Sequence, residues 1–565
     1  MTSTSFNAAA TSSSILSASA ETPSRGWGLA ICGVSLLIAL PLITVISFVA
    51  YPAGDVWQHL LQTVLKDYVI NSLLLAAGVA VGTTLIGVST AWLTTVCDFP
   101  GRSWMTWALL LPLAMPAYII AYTYTGMLDY AGPVQFVLRE VFDVGEGAYW
   151  FPEIRSLGGA IVMLSLVLYP YVYLLARAAF LEQSVAIIDA SRTLGYGPWA
   201  SFFFVSVPIA RPAIVAGVSL ALMETLADYG TVQYFGISTF TTGIFRTWFG
   251  LGDTIAAAQL SALLMGFVLT LLVIERWSRS RMRFHRVGQR LDRVSSVRLW
   301  GWRSVVATLF CVLVLALGLL LPAVQLGIWF LRTAATMVDE TFMRLVINTV
   351  SLAAITAIVT VGLSIFLGYG GRLHPTPLVR SAIRIAGMGY ALPGTVIAVG
   401  VMLPFAWMDN ALNALLEQQF GISPGLLLSG TLAALLFGYV VRFLAVSLST
   451  FESGLSGIRP TMDDSARSLG YKPLALVWRI HVPLLRGSLL TAMLLVFVDV
   501  MKELPATLVL RPFNFNTLAV RAFELASDER LADSSTAALA IVFTGVIPVI
   551  LLSRWIDTGR SVAAQ

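Results

Sequence analysis

Two pairs of carboxylates stand out in a chain that otherwise avoids charge. Glu224 and Asp228 lie in "ETLADYGTVQYFG", and Asp499 and Glu503 lie in "DVMKELPATLVLRP". A shift of 275 residues places Glu224 on Asp499 and Asp228 on Glu503. Within each pair the spacing is i, i+4, which on a helix puts both carboxylates on one face. Glu224 and Asp499 fall about midway along apolar runs, where an ionised group costs at least about 2.5 kcal/mol unless it is paired or wet. That cost recurs at matched positions, which predicts four acids around an axis shared by two halves of the chain. Such a ring of oxygen donors suits a hard cation. Contact would be transient, because a tight metal site would trap the ion. Lys502 matches Ala227 under the same shift and breaks the symmetry. It supports a second reading, in which the acids belong to an ion-pair network that locks the halves together.

A second repeated constellation is polar and contains glycine. "DASRTLGYGPWASFFFVSVP" runs from Asp189 to Pro208, and "DDSARSLGYKPLALVWRIHVP" runs from Asp463 to Pro483. Under the 275-residue shift Asp189, Arg192, Leu194, Gly195, Tyr196, Pro198 and Pro208 fall on Asp464, Arg467, Leu469, Gly470, Tyr471, Pro473 and Pro483. Each segment predicts a short helix, a turn at Gly195 or Gly470 that a residue with a Cβ would resist, and a second helix. Each ends in a proline suited to the first turn of the apolar helix that follows.

The elements that must carry these groups follow from composition. The chain has 565 residues, 57% hydrophobic and 12% charged, with a mean hydropathy of +0.83. Soluble domains are about one quarter charged. Twelve apolar runs, near 27–51, 69–96, 103–128, 157–181, 209–235, 253–275, 304–330, 346–369, 381–405, 424–450, 484–510 and 532–553, are long enough to cross a bilayer as helices. With the N-terminus in the cytoplasm, the connections on that side collect 20 Lys and Arg and those on the other side 9. The rule that basic residues stay inside then predicts both termini in the cytoplasm. The net charge of +5 reads as this topological bias and not as a nucleic-acid surface.

The duplication extends beyond these segments. "INSLLLAAGVAVG" from Ile70 resembles "INTVSLAAITAIV" from Ile347, and "MPAYIIA" from Met115 resembles "LPGTVIA" from Leu392, both at a shift of 277. The expected organisation is all-α: a disordered tail over 1–25, a six-helix unit over 26–275, a basic linker over 276–303 with nine arginines, a second six-helix unit over 304–553, and a tail over 554–565. An even number of helices gives both units the same orientation, related by an axis along the membrane normal. Pro116 and Pro393 match at the shift of 277 and are expected inside the third helix of each unit, as kinks that either hinge the pathway or shape packing. Cys32, Cys97 and Cys311 are too widely spaced to suggest a disulfide framework or a metal site.

The polar segments resemble the "E-A-A, three residues, G, nine residues, I-x-L-P" motif of permease subunits of binding-protein-dependent ATP-binding-cassette importers. Here the motif reads Asp189-Ala190-Ser191, Gly195 and Val205-Ser206-Val207-Pro208, then Asp464-Ser465-Ala466, Gly470 and Ile480-His481-Val482-Pro483. Both copies use Asp for the leading Glu and Ser for one Ala. In that family the segment is the coupling helix that docks on the ATPase. The resemblance therefore implies that Asp189, Arg192, Gly195, Pro208, Asp464, Arg467, Gly470 and Pro483 couple the chain to an ATPase. It implies two copies of that ATPase, which hold the ATP and Mg, a periplasmic substrate-binding protein, and a place in the bacterial cytoplasmic (inner) membrane. "LPLAMPAYIIAYTY" from Leu111 and the two acidic segments look most like the ferric-iron branch, with thiamine, phosphonate and polyamine importers as alternatives. Glu224, Asp228, Asp499, Glu503, Pro116 and Pro393 would then line the substrate pathway, with transient ferric contact at the acids.

Other classes find less support. A P-loop needs Gly-Lys followed by Ser or Thr. The lysines are Lys66, Lys472 and Lys502, and none follows a Gly. ATP hydrolysis is thus expected on partner subunits, with no cofactor in this chain, and no zinc-protease motif or nucleophile triad suggests another enzyme. A secondary transporter would also carry repeats and buried acids. It would have no use for two coupling segments of this pattern.

Overall fold

The computed structural model describes residues 25–563 apart from 53, 144, 146–148, 184–190, 192 and 281–296. Residues 1–24 of the expected tail, most of the basic linker, and the coupling candidates Asp189 and Arg192 lie outside the described residues. The fold is all-α. Ten helices are long and apolar enough to cross a membrane, or twelve if each of two sharply bent pairs counts as one span.

In the first half of the chain the long helices are α1 (Arg25–Ser47), α2 (Leu65–Val96), α3 (Ala117–Leu128), α4 (Leu157–Glu182), α5 (Val207–Ala227) and α6 (Thr254–Ser280). In the second half they are α7 (Trp302–Met337), α8 (Glu340–Leu373), α9 (Gly394–Phe420), α10 (Leu432–Ser456), α11 (Arg486–Met501) and α12 (Leu531–Ala563). Inside lipid, helices associate through close packing more than through hydrophobicity, so small residues mark the crossings. The α2–α4 crossing is an example: a Cβ on Gly87 would lie 2.7 Å from Cβ of Val172 and 3.0 Å from the carbonyl of Tyr169. Polar side chains in these helices mostly bond to their own backbone, as Thr83 and Thr90 do to the carbonyls four residues earlier.

The first helix of each half reaches into the other half. Helix α1 packs against α9 and the short helix Pro377–Ala386, and Trp27 stacks on Phe366 of α8 with ring centroids 5.4 Å apart. Reciprocally, the Tyr124 hydroxyl of α3 donates to the carbonyl of Leu317 in α7 at 2.7 Å. The hydroxyl of Thr308, also in α7, donates to the carbonyl of Pro100 at 3.2 Å. A two-residue parallel strand pair, Cys97–Asp98 with Val297–Arg298, adds a backbone tie between the end of the linker and the connection after α2.

Pro116 and Pro393 are not inside helices. Each is the N-cap of the helix that follows, with φ −63° and ψ 142° at Pro116 and φ −55° and ψ 142° at Pro393. The cause is steric. The residue before a proline is pushed out of the helical region. Met115 (φ −89°, ψ 114°) and Leu392 (φ −86°, ψ 134°) are both extended. The apolar run 103–128 thus splits into two stretches that meet at 91°, and the expected kink is a full break.

Candidate functional site

The acids also sit at breaks. Glu224 is in the last turn of α5 and Asp499 in the last turn of α11, while Asp228 and Glu503 lie beyond the helix ends. The expected i, i+4 helix face is therefore corrected: the chain leaves the helix between the members of each pair. The break explains why an acid can follow it. A carboxylate there accepts hydrogen bonds from the free amides of the next short helix. Asp228 accepts from the Thr231 hydroxyl at 2.9 Å and the Val232 amide at 3.1 Å, at the start of Gly230–Tyr234. Glu503 accepts from the Ala506 amide at 3.1 Å, at the start of Pro505–Leu510. Broken backbone at membrane depth is tolerated where it is buried in protein or lines a cavity.

A cavity of about 100 Å³ lies where the halves meet, and all four acids line it. Pro116 lines it too, whereas Pro393 does not. The halves touch beside it: the Tyr171 hydroxyl of α4 and the Tyr390 hydroxyl, just before Pro393, are 3.5 Å apart. Two cations share the space. Lys502 Nζ is 3.0 Å from Asp499 Oδ1, and Arg442 Nε of α10 is 3.3 Å from Glu503 Oε2. The second half's acids are thus paired. In the first half Asp228 has only its capping bonds, and Glu224 makes no hydrogen bond or ion pair among the described residues. Four carboxylates against two cations leave the lining negative when every acid is ionised. The Tyr118 hydroxyl, on a side chain that also lines the cavity, is buried without a hydrogen-bond partner. Among the described residues no three His, Cys, Asp or Glu side chains group as a metal site.

The two polar segments share a backbone motif. Gly195 has φ +86° and Gly470 φ +83°, a left-handed conformation that L side chains resist. A Cβ at either position would meet nothing within 4 Å, so it is the backbone and not packing that requires glycine. The Tyr196 amide donates to the carbonyl of Ser191 at 3.0 Å and the Tyr471 amide to that of Ala466 at 3.1 Å, the six-residue closure of a glycine helix stop. Beside each glycine an apolar side chain is exposed, Leu194 at 77% and Leu469 at 79%. Asp464 and Arg467 are solvent-facing, 3.8 Å apart. Pro208 lies inside the continuous helix Trp199–Ala227 and Pro483 near the end of the stretch Pro473–Leu484.

The copies differ in how they meet the membrane. Trp199–Ala227 is one continuous helix, whereas Pro473–Leu484 bends by 79° into α11. The second segment is also pinned from below. Buried Asp463 pairs with Arg372 Nε at 2.8 Å, and its other oxygen lies 3.1 Å from His481 Nε2. Arg372 in turn donates to the carbonyls of Leu455 and Ile458, so the segment is fastened to the ends of α8 and α10.

No protein-family model matches the chain. Similarity to characterised proteins is nonetheless extensive. The chain is 24% identical over 532 residues to the Fe(3+)-transport system permease protein FbpB 2 of Haemophilus influenzae, covering 92% of this chain and 97% of that one. It is 22% identical over 523 residues to the probable ABC transporter permease protein y4fN of Sinorhizobium fredii, covering 87% and 88%. The molybdenum transport system permease protein ModB of Escherichia coli K12 matches at 28% over 199 residues, 34% of this chain and 83% of that one. The chain is similar to the permease subunits of ABC importers. Two of these permease relatives match both halves at once, and ModB is shorter than one half.

For such a permease-like chain, several cavity residues escaped sequence reasoning. Arg442 carried a usable signal, being a lone charge within the apolar run 424–450. Tyr118, Tyr171 and Tyr390 carried none, since tyrosines in apolar helices are common at many depths.

Proposed function

We propose that this multi-pass membrane protein is the translocation subunit of an ATP-driven importer and that it passes ferric iron into the cytoplasm. Two six-helix units, 26–275 and 304–553, are joined by the linker 276–303 and lie in the bacterial inner membrane with both termini cytoplasmic. Two copies of a separate ATPase dock on the segments around Gly195 and Gly470, and a periplasmic binding protein delivers the cargo. One observation carries the reading: carboxylates from both halves meet in a single cavity with an excess of negative charge. Hard oxygen donors favour a hard cation. They disfavour an anionic cargo.

The test is uptake of radiolabelled ferric iron by a strain lacking the gene, with thiamine as comparison. Restoration of iron uptake by the chain with its ATPase is the expected result. Restored thiamine uptake without iron uptake would sink the ferric assignment.

Coupling has its own test. Left-handed backbone at a residue with a Cβ costs about 1–2 kcal/mol, and neither glycine is packed against a neighbour. Gly195→Glu and Gly470→Glu together should leave the chain in the membrane but lower cargo-stimulated ATP hydrolysis about tenfold. Unchanged hydrolysis in the double variant would show that these turns do not dock the ATPase.

A further inference from the structure

We propose that Lys502 is a resident counter-ion of the cavity, holding the cation position at Asp499 when the cavity is empty and giving it up to the passing ion. The inference rests on reading the cavity as the cation pathway. It concerns a residue that has no equivalent in the first half, where Ala227 ends α5 at the matching place.

The position is built to attract a cation. Lys502 is the C-cap of α11, and the partial negative charge of a helix C-terminus adds to that of Asp499. Its Nζ, 3.0 Å from Asp499 Oδ1, makes no other hydrogen bond or ion pair among the described residues. Both side chains keep some exposure, 25% for Lys502 and 17% for Asp499. An ammonium on a flexible four-carbon stem with one partner can swing away. Arg442 is held differently: its side chain is 6% exposed, paired with Glu503, and its guanidinium lies 5.7 Å from the centre of the Phe443 ring. One cation of the cavity is therefore displaceable and the other is fixed.

The asymmetry gives an order of events. An entering ion meets Glu224, which makes no direct ion pair among the described residues, and competes with Lys502 for Asp499. An ion of higher charge wins that competition, and a monovalent ion does not. When the cavity changes state and the ion leaves, the ammonium returns to Asp499. The acids thus select by charge, and the returned ammonium restores the empty state. The buried Tyr118 hydroxyl, unpartnered in the same cavity, is a further oxygen for the displaced state.

The experiment is a titration of the purified full-length chain in nanodiscs with terbium(III), a hard trivalent probe whose luminescence nearby tyrosines sensitise. Tyr171 and Tyr390 place such reporters on the cavity wall. Lys502→Met keeps the stem and removes the charge. Loss of a unit charge beside the ion should tighten terbium binding about tenfold or more. Adding Asp499→Asn removes the carboxylate that Lys502 had neutralised, and binding should return close to that of the parent chain. Lys502→Gln serves in the same titration if the Met variant does not reach the membrane. Binding no tighter than the parent in a folded variant, or a gain that survives Asp499→Asn, overturns the proposal. Ferric uptake by the deletion strain tests the cargo separately. A terbium gain without iron uptake keeps the counter-ion and discards iron, while iron uptake without a terbium gain does the reverse.

Discussion

Glu224→Gln is expected to cut cargo uptake at least about tenfold while leaving membrane abundance and ATPase assembly unchanged. Glu224 lines the cavity, and among the described residues it has no ion pair or hydrogen bond. Removing its charge therefore breaks no direct contact. A unit charge about 4 Å from an ion is worth about 4 kcal/mol per unit of ion charge at an effective dielectric of ~20. Losing about a third of that already gives the tenfold effect. Asp499→Asn is a poorer probe, because it strands Lys502, and it should lower abundance as well as transport. The comparison separates pathway from scaffold. Normal uptake in Glu224→Gln at normal abundance would remove Glu224 from the pathway.

The largest stability effect is expected at Arg442 and Glu503. Both side chains are almost wholly buried, at 6% and 5% exposure. Breaking such a pair from one side leaves an uncompensated charge and costs about 3–5 kcal/mol. Arg442→Met alone should therefore give a chain that unfolds at markedly lower temperature in detergent or is degraded in cells. Arg442→Met with Glu503→Gln should recover most of the loss, because the neutral pair needs no counter-charge and Gln can still accept from the Ala506 amide. A single Arg442→Met variant as stable as the parent would mean that the buried pair contributes no net stability.

Glu503 and Asp499 make ion pairs, but with Arg442 and Lys502 of their own half, so neither pair ties the two halves together as the network reading expected. Glu224 makes no ion pair among the described residues. Sequence periodicity showed that the acids were matched, but not that the helices stop between them. Hydropathy reports how apolar a stretch is and is blind to whether its backbone stays helical. The runs 209–235 and 484–510 read as continuous although α5 ends at Ala227 and α11 at Met501. Pro116 and Pro393 do carry a signal, and it is stronger than a kink: a proline with an extended residue before it terminates a helix. The glycine turns were legible because φ > 0 is a local demand that one residue type meets. The contact of Tyr171 with Tyr390 was not, since it depends on the meeting of segments 219 residues apart.

The crossing of α1 and α7 into opposite halves changes what counts as a moving part. If the protein works by rocking, the rigid pieces are not the halves as written in the chain. Each is a set of helices that includes the other half's leading helix, so a cut through the linker should yield fragments that assemble only with each other. Biogenesis is affected too. Much of the surface that receives α1 belongs to α9, which begins at Gly394. At about 5–20 residues per second, synthesis leaves α1 waiting in the bilayer for some tens of seconds before its seat exists. Its small and polar residues, such as Ser35, meanwhile face lipid or the insertion machinery. A chain made this way is vulnerable to membrane quality control while it waits, and the vulnerable window closes only when the second half arrives.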